Sequence, residues 1–438
     1  MPTTRARFHE SATLIPVAQH LEAVLAAVRG SARPAGVVEQ VRLADAAGRT
    51  LATDVDAVLA SPPFDNAAMD GFAVRWADVA SASPAEPATL TVVGDHAAGS
   101  ADPASARPLG AGEAARIMTG AQVPAGADTV VPVERTDRGE DADGPGGVHR
   151  VRVFSAPDRG RHIRRAGEDL RVGDPLLEAG TLLGPRQVAG AATAGHASLP
   201  VVRMPRVSVV ATGSELTEPG ETLAPGGIPD SNSLLLAGLV REAGCAVVEI
   251  VRMPDDADVL RAWISEREPC DAIVFTGGVS IGAYDVVRRV LGELGTVDFV
   301  RVAMQPGSPQ AFGFLADGSA VFGLPGNPVA AAAAFEVFVR PALLAMQGRR
   351  EVQRRRVRAG LVTGWDSPRG RLQLMPVSFV AAQDADGAGP EPLVRPATRG
   401  GAASHLSGGL AGADGFAIVP EAVERVEPGG LVDVLVLP

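Results

Sequence analysis

The 438-residue chain contains no lysine: all 40 of its basic residues are arginine, set against 51 acidic ones for a formal net charge of −11. Any role that needs a compact ammonium charge must pass to a guanidinium or disappear. The acidic balance argues against a nucleic-acid coat but permits a local basic pocket for an anionic ligand. Cysteine is nearly absent too, and Cys245 and Cys270 stand far from any CxxC spacing. That argues against a disulfide framework or thiolate metal site and leaves both as core residues. No apolar run approaches the roughly 18 residues of a membrane span. Met1 to Glu10 lacks the basic-then-apolar layout of a secretory signal. A cytoplasmic protein with neither membrane nor nucleic-acid partners is expected.

Glycine (51) and proline (35), by contrast, make up about a fifth of the chain, which points to many turns and β-rich modules. The length predicts about two to four domains. Pro16 to Arg29 carries apolar residues at Val17, Leu21, Val24, Leu25 and Val28, the stripe of an amphipathic helix. From Val55 to about Val153, short alternating runs broken by Gly, Pro and Asp read as a small β module inserted into the first unit. Val201 to Arg206 reads as a linker, after which strand and helix alternate. Strands are expected at Val207 to Ala211, Ala246 to Val251 and Ala272 to Phe275, and helices at Ser231 to Ala243, Asp256 to Glu266 and Tyr284 to Leu294. This order predicts a mostly parallel, doubly wound sheet with ligands at the carboxyl ends of its strands. Pro328 to Met346 closes that unit as a helix with Asn327 as cap. The run Arg349 to Arg358 reads as an edge strand with a solvated charged face, leading into a β-type C-terminus. The resulting division is 1–53 with 154–205, then 54–153, 206–347 and 348–438.

Three glycine-centred turns fall between Asp271 and Pro328: Thr276 to Ser280, Gln305 to Pro309 and Gly323 to Pro328. Two follow short apolar runs, Ala272 to Phe275 and Ala320 to Phe322, and so place flexible backbone N–H groups where an α/β sheet takes up anions. Asp285 falls on the first turn of the helix after the first loop. A carboxylate there repels a phosphate unless a divalent cation lies between them, although the helix dipole alone also favours an acid at that place. Asp65 and Asp70 in Asp-Asn-Ala-Ala-Met-Asp-Gly suit turn bonding, Mg²⁺ or ligand recognition. Thr119 and Gly120 fit an ordinary strand-to-turn junction, and Asp230, Ser231 and Asn232 fit a helix cap.

Seven ordered strings, FDNAAMDGFAVR, RIMTGAQVPAGAD, ATGSEL, PDSNS, FTGGVSIGAYD, VAMQPGSPQAFG and GLPGNPVAA, resemble the MoeA/gephyrin E-domain family of molybdopterin molybdenumtransferases. The likeness runs from about Pro16 to the C-terminus. It implies a multi-domain α/β plus β fold: a molybdopterin-binding doubly wound α/β domain, an inserted β module and a C-terminal β-barrel-like domain. It also implies a homodimer that cleaves adenylylated molybdopterin in the presence of molybdate and Mg²⁺, releases AMP and leaves molybdenum on the dithiolene. A molybdopterin adenylyltransferase is then the upstream partner.

Carried over motif by motif, the resemblance places Asp70, Thr119, Asp169, Glu215, Asp255, Asp285 and Arg301 at the chemistry, with Glu215, Asp255 and Asp285 on the metal. Arg164, Asp230, Ser231, Asn232, Gly277, Gly278, Ser280, Gln305, Gly307, Gly326 and Asn327 are the expected substrate contacts. Asp70 and Thr119 are expected to reach the partner's α/β domain. Two positions depart from the family pattern, Gln305 and Ser308 standing where lysines are usual, and Arg399 to Ser404 lack the usual Gly-Ser-Gly turn. Each lost charge contact weakens anion binding by roughly 1.5 to 3 kcal/mol unless replaced. Two other readings remain open from sequence: a non-catalytic dimeric scaffold or cofactor-binding protein, and a different metal-dependent enzyme on a nucleotide-linked substrate.

Overall fold

The computed structural model describes residues 14–31, 37–99, 107–139, 149–278, 286–295, 297–380, 391–398 and 407–438. Its six-stranded central sheet runs in the order Ala246–Met253, Arg206–Thr212, Ala272–Thr276, Ala320–Leu324, Pro309–Phe314 and Val297–Arg301. The first three pairings are parallel and the last two antiparallel. Period-2 side chains split this sheet between two cores. Val207, Val209, Val274 and Phe322 pack with helices Asn232–Glu242 and Arg340–Met346, while Val210, Ile273, Phe275 and Val321 pack with Ala257–Glu266 and Val286–Leu294. Helices on both faces make it doubly wound. Because the first strand lies between the second and third, chain direction across the sheet reverses beside Arg206–Thr212, and the crevice opens there at the carboxyl ends.

Strands Val38–Arg42 and Thr50–Leu51 pair with Ser198–Val202, bringing together chain from either side of a separate five-stranded sheet. That sheet runs Thr129–Pro132, Gly71–Val74, Glu113–Ile117, Ala88–His96, Arg150–Val153 around Phe72, Leu90, Val131 and Val151. It is the inserted β module. Toward the C-terminus, Leu372–Phe379, Leu393–Pro396, Arg356–Leu361, Leu431–Val436 and Gly415–Val419 close on themselves through the pairing of Leu372–Phe379 with Gly415–Val419. Closure leaves that barrel without a free edge. Met304–Gln305 adds to it in parallel with Leu372–Phe379, tying the barrel to the α/β unit.

Three expectations are corrected. Val201 and Val202 belong to the strand Ser198–Val202, so only 203–205 connect it to the next. The arginine run is an edge only in part: Arg356 and Arg358 are exposed and pair on one side, whereas the same strand gains a second partner at Gly360 and Leu361, and Arg354 is tucked in with its Nε 2.6 Å from Glu336 Oε2. Finally, Pro328–Met346 forms a continuous helical run, with a π turn at Phe335–Val339, that is long and apolar enough to cross a membrane. Its most apolar stretch has a mean hydropathy of 1.7 and is 83 % buried, because Ala331, Ala334, Phe335, Phe338 and Leu343 fill one of the cores of this protein. Helix Val17–Arg29 lays its apolar stripe on that run, with His20 edge-on to Phe338 at 4.8 Å. Both cysteines are free and buried, as the sequence implies.

Candidate active site

A cleft of about 670 Å³ opens at the carboxyl edge of the central sheet, where its strand order reverses. Of the residues singled out from sequence, Glu215, Asp230, Ser231, Asn232, Asp255, Gly277, Gly278, Gly326 and Asn327 line it. Each is brought there by a strand end. After Arg206–Thr212 the chain turns at Gly213, and the Glu215 carboxylate folds back over that glycine. Ser214 N–H donates to Asp255 Oδ2 and Asp255 N–H to Ser214 Oγ, both at 3.2 Å, which locks the two acidic loops together. The neighbouring acids divide their work: Asp256 caps helix Ala257–Glu266 by accepting from Asp258 and Val259 N–H, leaving Asp255 on the cleft.

Asp230 likewise accepts from Ser233 N–H and Oγ, whereas Ser231 makes no capping bond. Asn232 is no cap either. Its Nδ2 donates to Thr276 Oγ1 at 2.8 Å and to Gly326 O at 2.6 Å, joining the ends of two strands. The glycine loop is shaped by close approach as much as by anions. Gly277 N–H donates to Leu324 O, so that donor is spent within the protein, contrary to the expectation that it faces a phosphate. A Cβ on Gly277 would lie 2.5 Å from Thr212 O, and one on Gly278 2.8 Å from Val287 Cγ2. Asn327 holds the cap position of Pro328–Ala334 without a side-chain capping bond.

Gln305, Gly307 and Arg301 do not line the cleft. Gly307 (φ +107°) packs its turn against Ala330 O, on the helix whose first residues form the cleft rim. Ser308 is buried, its hydroxyl donating to Val302 O at 2.9 Å, so this position serves the turn. Arg301 is exposed at the end of the outer strand Val297–Arg301. Asp285 and Ser280 lie outside the described residues.

Asp70 and Thr119 lie elsewhere, on the inserted module, and Arg164 and Asp169 on the segment that follows it in the chain. Pairing of Gly71 with Ile117 sets Asp70 beside Thr119, whose N–H and Oγ1 both donate to Asp70 Oδ1 at 2.7 Å. Those two bonds, the backbone one first, hold the Asp70 carboxyl below the usual carboxylate range, so it stays ionised. Arg164 pairs with Asn66, Asp169 N–H donates to Ser61 O, and Asp65 accepts from Ala166 N–H and Arg165. Asp70, Thr119, Arg164 and Asp169 are all exposed.

Sequence reasoning missed Thr212, Thr276 and Ser407, which also line the cleft. Thr212 and Thr276 carry a local signal, a hydroxyl at a strand's last position before glycine. Ser407 comes from the C-terminal region and has none.

Glu215 and Asp255 offer the hard carboxylate oxygens that Mg²⁺ prefers. Among the described residues no third acidic, His or Cys side chain joins them.

Family models match along the chain: "MoeA N-terminal region (domain I and II)" over residues 15–195, "Probable molybdopterin binding domain" over 208–345 and "MoeA C-terminal region (domain IV)" over 358–437. Molybdopterin molybdenumtransferase 2 of Mycobacterium tuberculosis is 43 % identical over 397 residues, 89 % of this chain and 92 % of that protein. The molybdopterin molybdenumtransferase of Bacillus subtilis is 40 % identical over 308 residues, 70 % of each chain. A solved molybdopterin biosynthesis MoeA protein from Pyrococcus horikoshii superposes with a TM-score of 0.78 at 31 % identity, covering 97 % of this chain and 99 % of its own. With its α/β cleft, inserted β module and C-terminal barrel matched from end to end, the chain belongs to the MoeA family of molybdopterin molybdenumtransferases.

Proposed function

We propose that this protein inserts molybdenum into molybdopterin by cleaving adenylylated molybdopterin in the presence of molybdate and Mg²⁺, releasing AMP. The observation that carries the reading is the cleft at the sheet's switch point, where two carboxylates stand across from a glycine loop. Glu215 and Asp255, with Asp285, hold Mg²⁺, which when bound would neutralise and polarise the phosphates. Gly278 offers a backbone N–H group, Gly326, Ser231, Ser280 and Asn327 border the ligand, and Gly307, Arg301 and Gln305, which stand off the cleft wall, meet the part of it that extends beyond the cleft. A guanidinium binds oxyanions bidentately, so Arg301 offsets charge on the departing nucleotide.

The active species is a cytoplasmic homodimer in which Asp70, Thr119, Arg164 and Asp169 of one subunit complete the cleft of the other. Two separate clusters of polar residues on one chain support this arrangement, because each alone is an incomplete site. Asp70, held ionised by Thr119, positions a water at the site by accepting its hydrogen bond. The free, buried thiols suit a reducing compartment. The domain division 1–53 with 154–205, 54–153, 206–347 and 348–438 goes with this reading. A nucleotidyl-transfer enzyme, molybdopterin adenylyltransferase, must supply the substrate. A non-catalytic scaffold is not favoured, since relatives at 35 to 43 % identity are named as transferases.

Mixed dimers test the proposal. Subunits carrying Asp70→Ala and Asp255→Ala should each be inactive alone, and co-refolded they should regain about a quarter of wild-type AMP release, as random pairing in a two-fold dimer gives. Failure to complement, with mixed dimers verified by mass spectrometry, would show that both residues act within one subunit.

A further inference from the structure

Two side chains on the cleft floor carry polar atoms with no partner among the described residues: Thr212 Oγ1 and Asn232 Oδ1. Both residues are more than nine-tenths buried, at 5 % and 8 % exposure. Buried polar atoms are normally satisfied, so two orphans on one cavity wall call for a ligand. They bracket the same strand end. Asn232 bonds Thr276 Oγ1, and the next two residues, Gly277 and Gly278, stand so close to Thr212 that a Cβ on either would lie 3.2 or 3.0 Å from its hydroxyl.

The polarity of Asn232 is fixed. Gly326 O can only accept, so the Asn232 atom 2.6 Å from it is the amide nitrogen. Thr276 Oγ1 gives its own hydrogen to Pro325 O and therefore accepts the other Asn232 N–H. Both amide hydrogens are used, and what remains is a carbonyl-type acceptor. Nearby Asp230 adds a further acceptor-only group to the cleft. A phosphate oxygen carries no hydrogen to offer Asn232 Oδ1 or Asp230 and is disfavoured beside them.

We propose that Thr212 and Asn232 read a neutral ring edge bearing N–H donors next to a carbonyl, as the aminopyrimidinone edge of a pterin does, and so set which end of the ligand enters the cleft floor. Asn232 Oδ1 accepts a ring or amino N–H. The Thr212 hydroxyl, able to donate as well as accept, pairs with the adjoining edge. The phosphate end then faces outward, toward Glu215 and Asp255 and the cation proposed there. This rests on the proposed molybdopterin chemistry and adds Thr212 to the residues that select it.

The test uses full-length dimer, metal-free molybdopterin followed by its pterin fluorescence, and AMP as a second probe. Thr212→Val keeps the shape and removes a hydroxyl that has no partner among the described residues, so its melting temperature should not fall. Its molybdopterin affinity should drop roughly three- to tenfold, the worth of one hydrogen bond, with AMP affinity unchanged. Thr212→Ser, which keeps the hydroxyl, should bind as wild type does. Equal molybdopterin affinity for Thr212→Val and wild type would overturn the inference and leave the proposed reaction standing. So would a loss in Thr212→Ser as large as in Thr212→Val, which would mark this position as sensitive to any change of side chain rather than to loss of the hydroxyl. Wild-type protein that binds no molybdopterin would overturn both.

Discussion

Gly277→Ala should reduce AMP release by two to three orders of magnitude, since roughly 1 Å of misplacement at a site costs about a hundredfold. Gly277 has φ +87°, where a Cβ costs about 1 to 2 kcal/mol by itself. The larger effect is a collision. The new methyl would sit 2.5 Å from the backbone oxygen of Thr212 and 3.2 Å from its hydroxyl. Neither the strand end nor the loop can yield without opening the cleft floor between Thr212 and Gly278. Gly220→Ala is the matched control: φ is +95° but nothing lies within 4 Å of the added carbon, so only the local conformational cost applies and turnover should persist. Steady-state AMP release with a melting curve for each variant checks both. A Gly277→Ala enzyme with wild-type turnover would show that the loop is not part of the working cleft.

Glu336→Ala should destabilise the fold by about 3 to 5 kcal/mol, the range for removing one partner of a buried ion pair. Glu336 is 3 % exposed on the π turn of the core helix, and both its oxygens accept from Arg354, at 2.6 and 2.9 Å. Arg354 also meets Glu242 from helix Asn232–Glu242, and partly buried Arg340 lies near enough to be pushed down by it after burial itself. Deleting Glu336 leaves two guanidinium groups close together with half their compensation gone. Urea unfolding should show a lower midpoint for the single variant. The double variant Glu336→Leu with Arg354→Met should recover much of the loss, because it removes the stranded charge as well. A single variant as stable as wild type would mean that water reaches this cluster.

The contrast between these two sites shows what local sequence can reveal. Gly277 stands in a string whose strand-then-glycine order announces a carboxyl-edge loop, and the α/β alternation was legible for the same reason: buried strands are short, apolar and followed at once by turns. Yet the reason for glycine there, contact with Thr212 from a neighbouring strand, is a tertiary fact. Glu336 and Arg354 were opaque, because an acid in an alanine-rich helix and an arginine in a basic run each look like solvated charge until the fold sets them face to face. The same limit hid Ser407, which reaches the cleft from the far end of the chain, and concealed which of Asp255 and Asp256 is the cap. Asp70 and Thr119, 49 positions apart, were legible only through resemblance, and strand register explains why they meet.

Molybdate-dependent release of AMP from adenylylated molybdopterin tests the central claim most directly. Purified dimer is supplied with Mg²⁺, and AMP is followed with and without molybdate. The account predicts release that requires both ions and falls away with Asp255→Ala, with Arg301 and Gln305 sufficing in a protein that has no lysine. Absence of release from folded dimer under these conditions would contradict it.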